Sequence, residues 1–243
     1  METKLLKDVL DNILKGDINN AIKLSGSYLG LFYYRLWGDK GESLGFTSVE
    51  HSYRQLAKNP SIISDLIEII NWSINSKLSS GIIPDLSFIF LFELHSQYGI
   101  KEIQACVGRA NIKTAGQTGV GVLHFPEYKT YAILITFQKT EKEFSPSTMY
   151  ADYPISRRLL HWESQSTTSQ LSETGQNFIH HKNCGYTILI FARSQKKINK
   201  ITAPFVYLGP ADIVSYESER PIKITWDLKH EMPVEMFEDN RKG

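Results

Sequence analysis

The 243 residues carry 27 basic and 26 acidic side chains, a formal net charge of +1, and an apolar fraction of 42%. A chain of this size buries a sizeable core as one large or two small domains. So even a charge balance excludes binding to nucleic acid or membrane by global attraction alone, and neither a leader-like segment nor an apolar run long enough to span a bilayer is present.

Charge is unevenly spread: Lys and Arg against Asp and Glu give 9 − 11 = −2 for residues 1–98 and 18 − 15 = +3 for residues 99–243. That asymmetry fits a C-terminal half that faces phosphates. Cys106 and Cys184 make neither a metal site nor a disulfide framework and read as reduced thiols of a cytoplasmic protein.

In chain order, Leu5, Leu6, Val9, Leu10, Ile13 and Leu14 fall at helical spacing over residues 3–15, and Gly16 ends the run. Asp17 is placed to cap a second helix carrying Ile18, Ile22 and Leu24. Leu29, Phe32, Tyr33 and Leu36 share one face of an aromatic-rich helix within Tyr28–Trp37. Thr47-Ser48-Val49-Glu50 opens a helix through Leu56, and Asn59-Pro60 opens a longer one with Ile63, Leu66, Ile70 and Ile74, ending near Ser79-Ser80-Gly81. Phe88–Tyr98 predicts a strongly apolar helix, and Gly99–Val107 a short one with Ile100, Ile103 and Val107 inward. The first hundred residues thus read as a helical bundle with no cluster of titratable groups suited to chemistry.

Beyond Gly108 the period changes. Gly119–Phe125, Thr130–Gln138, Gly185–Arg193, Phe205–Leu208, Asp212–Tyr216 and Ile222–Leu228 are short β-branched or aromatic runs bounded by turn residues. They predict a largely antiparallel sheet or barrel. The expected class is α+β, with a helical module over residues 1–105 and a β-rich domain over residues 106–243.

Catalytic motifs fail on inspection. Gly116-Gln117-Thr118-Gly119-Val120-Gly121 lacks the Gly-Lys-Ser/Thr of a phosphate loop. His180-His181-Lys182 has the first gap of the phospholipase-D signature, but its aspartate position falls on Thr187. His180, His181 and Cys184 lack a fourth zinc ligand at normal spacing. No catalytic residue, metal or cofactor is therefore expected. Arg193 to Lys200, with Lys196 and Lys197, reads as a basic hairpin tip, either a solvated turn or a phosphate-contacting loop.

Met149 to Thr168 concentrates two tyrosines, Asp152, two arginines, a His-Trp pair and a hydroxyl-rich Ser-Gln-Ser-Thr-Thr run. Those parts suit a pocket for a planar polar ring, and they also suit a β-hairpin with a polar turn.

Several landmarks recur in an unbroken order: Leu94-His95-Ser96-Gln97-Tyr98, Tyr150-Ala151-Asp152-Tyr153, His161-Trp162-Glu163-Ser164-Gln165-Ser166, Thr174-Gly175, Leu189-Ile190-Phe191-Ala192-Arg193, Tyr207-Leu208-Gly209-Pro210 and Glu219-Arg220-Pro221-Ile222-Lys223-Ile224-Thr225-Trp226. In that order they resemble a C-terminal domain of unknown function attached to superfamily II helicases that also carry a phospholipase-D-type nuclease. The resemblance extends to type IV restriction enzymes whose C-terminal region is similar to the SRA domains that bind 5-methylcytosine.

The resemblance implies an SRA-like (PUA-like) β-rich domain behind a helical coupling module, cut from a longer bacterial polypeptide whose motor and nuclease lie upstream. Its implied partners are double-stranded DNA carrying a modified cytosine, those upstream domains and a possible second copy, with no membrane. Extruding a base costs a few kcal/mol, and each aromatic contact returns about 1–3 kcal/mol. Tyr150, Tyr153 and Trp162 are the implied sandwich, Asp152 the partner of the exocyclic amine, Gln165 a further edge contact, and Ser164, Ser166 and Thr167 the lining near carbon 5. Arg157, Arg158, Arg193, Lys196 and Lys197 are the implied phosphate contacts. On a regular strand Tyr150 and Asp152 share one face and Tyr153 the other, so a bulge or turn is needed to unite them.

Overall fold

The computed structural model describes residues 3–38, 40–75, 92–109, 121–138 and 151–241. Tyr150 and the glycine run Gly116–Val120 lie outside the described residues. The chain divides into two compact units, Met1–Phe92 with Ile100–Thr118, and Glu93–Gly99 with Gly119–Gly243. The division is not a single cut, because a short segment before Gly99 joins the sheet while the next helix returns to the helical unit.

The helical unit follows its apolar periodicity. Helices α1 (Thr3–Leu14), α2 (Ile18–Ser25), α3 (Leu29–Trp37), α4 (Val49–Leu56), α5 (Pro60–Asn75) and α6 (Ile100–Ala105) succeed one another. Asp17 accepts from the Asn20 N–H and Ser48 from the His51 N–H, so both caps satisfy amides that the first helical turn leaves open. Val9, Leu10 and Ile13 of α1 meet Phe32, Tyr53, Leu56, Ile63 and Ile70 in one core. Arg35 and Glu102, 2.6 Å apart, tie α3 to α6.

The second unit is an eight-stranded mixed sheet. Its strands are β1 (Gln97–Tyr98), β2 (Val122–Phe125), β3 (Thr130–Gln138), β4 (Tyr153–Pro154), β5 (Leu159–Glu163), β6 (Thr187–Gln195), β9 (Phe205–Glu217) and β10 (Lys223–Leu228). The order is β2-β3-β6-β9-β10-β5-β4, with β1 on β9, so among the described residues the sheet is open and ends at β2 and β4. A separate two-stranded ribbon, β7 (Lys197–Ile198) and β8 (Ile201–Thr202), stands beside it. All pairs are antiparallel except β3 with β6. A parallel pair requires a crossover. Here the crossover carries the β4–β5 hairpin and helix α7 (Glu173–Ile179).

Burial divides the sheet. The runs TYAILITFQ of β3 and TILIFARSQ of β6 are buried on both faces over most of their length. In contrast β5 and β10 alternate strictly between buried and half-buried residues. Leu160, Trp162, Ile224, Trp226 and Leu228 face a core completed by Phe178 and Ile179 of α7. Gly175 allows α7 to start there, because a Cβ at that position would lie 2.0 Å from the Ser169 carbonyl oxygen.

Three readings of the sequence need correction. Phe88–Tyr98 is not a helix over its described part: His95 takes a positive φ of 64°, and Gln97 and Tyr98 pair with Val206 and Phe205. Phe205–Leu208 and Asp212–Tyr216 form one strand, β9, bent where Gly209 takes φ 93°. Helices α7 and α8 (Val234–Asn240) were not anticipated, although Ser172 caps α7 by accepting from Gly175 N.

His181 lies 3% exposed behind β9, its Nε2 accepting from Ile213 N at 3.3 Å and its Nδ1 facing the Tyr186 carbonyl. Burial holds its imidazole below the ordinary value of 6.5, against the opposing pull of Tyr186 and Asp212. A base depressed on folding is neutral in the native state and charges more readily in the unfolded chain. Its contribution is therefore complete above about pH 6.5 and is lost as pH falls below that value. Thermal melts from pH 8 to pH 5 should show this loss, with a shallower decline in His181→Asn; parallel curves would contradict the assignment.

Candidate nucleic-acid interface

The β4–β5 hairpin, Tyr153–Glu163, lies within the described part of the Met149–Thr168 stretch. Residues 155–158 make its turn, Ile155 N and Ser156 N both donating to the Leu159 carbonyl. Antiparallel pairing places directly opposed residues on one face. One row across the sheet is therefore Tyr153, His161, Thr225 and Ser215, and the next is Glu163, Lys223 and Glu217. This face is opposite the one that buries Trp162 and Trp226.

On it, the rings of Tyr153 and His161 stack with centroids 4.8 Å apart at 26°. Glu163 Oε1 lies 4.0 Å from His161 Nε2. The hairpin closes with a reciprocal clasp: Glu163 N donates to Asp152 Oδ1 at 3.0 Å, and Ala151 N donates to Glu163 Oε2 at 3.3 Å. Two carboxylates and a ring stack thus meet at the β4 edge. Beside them Lys223 Nζ lies 4.0 Å from Glu217 Oε1. Asp152 is 7% exposed and spends Oδ1 on the Glu163 amide, so the half-buried Tyr153, His161 and Glu163 are what this face offers, aromatic area to a planar ring and an acceptor to an amino group at its edge.

The structure separates the other candidates. Trp162 is 3% exposed, set edge-on against Phe178 at 5.4 Å and beside Trp226 at 6.3 Å. Its ring is core, and it does not share a face with Tyr153. Ser164 is fully buried, accepting from Ile222 N at 2.9 Å and extending the β5–β10 pairing. Gln165 is half-buried and its carbonyl accepts from Thr168 N, which leaves Ser166 and Thr167 exposed at the turn.

Three of the five phosphate candidates have structural duties. Arg157 donates to the Met232 carbonyl and pairs with Glu231 at 2.6 Å. Arg158 donates to the Leu228 carbonyl and pairs with Asp227 at 3.2 Å. Arg193 is 8% exposed, bonded to Thr136 Oγ1 at 3.0 Å and the Ala203 carbonyl at 2.8 Å, its guanidinium 4.1 Å above the Phe205 ring. Lys196 is half-buried beside the ribbon and Lys197 is exposed on it. The ribbon turns through Asn199 and Lys200, both at positive φ, as a primed hairpin turn requires.

His161, Glu163, Lys223 and Thr225 were not picked out as site residues from sequence. The signal was available: Leu159–Glu163 alternates about two apolar residues, so assigning Trp162 to the core sends His161 and Glu163 to the other face. Among the described residues no group of His, Cys, Asp and Glu is placed to hold a metal ion, and no helix is long and apolar enough to cross a membrane.

No curated protein matches the chain. A family profile does match it over residues 92–239, which take in every strand of the sheet, the β4–β5 hairpin and α7. The chain belongs to the family described as Domain of unknown function (DUF3427).

Proposed function

We propose that the β-rich unit is a DNA-reading module that holds a modified cytosine, 5-methylcytosine or 5-hydroxymethylcytosine, extruded from the duplex. The observation that carries this reading is the stacked Tyr153–His161 pair beside the Glu163 carboxylate, with the buried Asp152 carboxylate holding the Glu163 amide. The rings supply stacking surface for an unstacked base, and a carboxylate is the matching acceptor for the exocyclic amine of cytosine. Burying one methyl is worth only about 0.8 kcal/mol, so preference for the modified base requires a lost bond or clash elsewhere, or two sites engaged by a dimer. The landmark order resembles the SRA-like C-terminal region of the type IV restriction enzyme SauUSI. On that resemblance the module serves as the reader of an ATP-dependent, modification-dependent nuclease, and the helical unit couples it to an upstream motor.

A coupling module that reads no base is the competing reading. It draws support from Arg157, Arg158 and Arg193, whose guanidinium groups are engaged within the fold. Matched duplexes carrying cytosine, 5-methylcytosine or 5-hydroxymethylcytosine, titrated at one near-physiological salt concentration, separate the two. The reader binds a modified duplex selectively. Tyr153→Ala should then weaken that binding by about one order of magnitude, as loss of one base–aromatic contact predicts, with an unchanged melting temperature. Equal affinity for all three duplexes would leave the coupling reading in possession.

A further inference from the structure

At the other end of the strand order from β4, the edge strand β2 carries a second aromatic array. His124 pairs with Tyr131 across β2 and β3 and stacks on it, centroids 4.2 Å apart at 11°. Tyr186, just before β6, stacks on the same Tyr131 ring at 5.0 Å and 28°. His124 and Tyr186 are only 5.8 Å apart, and the Tyr186 hydroxyl lies 3.4 Å from His124 Nε2. Rings on opposite faces of Tyr131 would be separated by the sum of the two stacking distances, so both lie on one side of it. They form a two-ring layer over a buried ring.

The layer is held from below. Tyr131 is 2% exposed, accepts from Asn177 Nδ2 at 3.1 Å and meets Phe178 edge-on at 5.0 Å. Above, His124 is exposed and Tyr186 half-buried. A cation stands next to it: Lys129 Nζ donates to the Cys184 carbonyl at 3.3 Å and lies 3.7 Å from where a Cβ on Gly185 would be. That places the ammonium beside the residue preceding Tyr186. Preordered ring surface with an adjacent ammonium is the combination that binds an unpaired nucleobase and its phosphate.

We infer that His124 and Tyr186 form a stacking shelf for an unpaired nucleobase, with Lys129 contacting its phosphate, distinct from the Tyr153–His161 edge. The inference rests on the nucleic-acid partner of the proposed reading but not on its preference for modified cytosine. A shelf of this kind takes a base from a single-stranded or locally opened segment, because bases in an intact duplex have no free face.

The test is fluorescence anisotropy of the full chain with a labelled oligothymidylate, in parallel with the modified-duplex titration. Wild type should bind the single strand. His124→Ala and Tyr186→Ala should each weaken it about tenfold, His124→Trp should retain it, and Lys129→Ala should flatten its salt dependence. Unlabelled thymidine monophosphate distinguishes the source: weak competition marks a strand, and competition at equal concentration marks a free nucleotide on the same shelf. Absence of single-strand binding, or unchanged affinity in a folded His124→Ala protein, overturns the shelf whatever the duplex experiment gives. Conversely, equal binding to the three duplexes with intact shelf behaviour sinks only the modified-base reading.

Discussion

Replacing Trp162 with alanine is expected to cost about 3–5 kcal/mol and to unfold the β-rich unit, rather than to remove one contact with DNA. The indole is 3% exposed, in contact with Phe178 and Trp226, and faces a core shared with Leu160, Ile224 and Leu228. Truncation leaves a cavity whose rigid lining of strands and α7 collapses only partly. A loss of that size is a large fraction of the total stability of an ordinary domain. Urea unfolding followed by near-ultraviolet circular dichroism measures it directly. A Trp162→Ala protein that keeps its native melt yet loses DNA binding would move the indole from the core to the site. Trp162→Phe keeps most of the volume and should lose far less.

Arg193→Ala has the next largest effect, about 3 kcal/mol, for a different reason. Its guanidinium donates to Thr136 Oγ1 and to the Ala203 carbonyl and covers the Phe205 ring. Removing it leaves a buried carbonyl and hydroxyl to find new partners and strips a ring of its cation. Arg193→Lys restores the charge but not the planar fork, so it should recover only a minor part of the loss. Denaturant midpoints give the stability change. The salt dependence of DNA binding gives the role: a phosphate ligand lowers the log–log slope by about 1 when removed, whereas a structural residue leaves it unchanged in the folded fraction. A normal midpoint with a reduced slope would return Arg193 to the phosphate contacts.

These two residues show where sequence reading runs out. Trp162 and Arg193 are the types that bind bases and phosphates, and nothing local distinguishes an exposed from a buried copy. The decision comes from pairing. Trp162 is opposite Ile224 across β5 and β10, and Ile224 is fully buried. Arg193 lies opposite Thr136 in the parallel β3–β6 ladder. Both partners are more than fifty residues away along the chain, beyond the reach of any local pattern.

Legible from local pattern alone are the elements whose burial is one-sided, α1 through α5, with Asp17 as the cap of α2, because a 3.6-residue apolar period specifies a helix. The capping-box pattern places the start of α4 to within one residue, the cap being Ser48 rather than Thr47. Equally legible is β3, whose continuous apolar stretch from Tyr131 to Ile135 reads as a buried strand wherever it lies. The remaining features depend on contacts between distant segments. Ladder bonds to β9 outweigh helical periodicity at Gln97–Tyr98, the β3–β6 crossover carries the β4–β5 hairpin, and sheet register turns Tyr153, His161 and Glu163 to one face and Trp162 to the other. Register is a relation between strands, and a shift of one residue would exchange the two faces, so the site exists only once the sheet has formed.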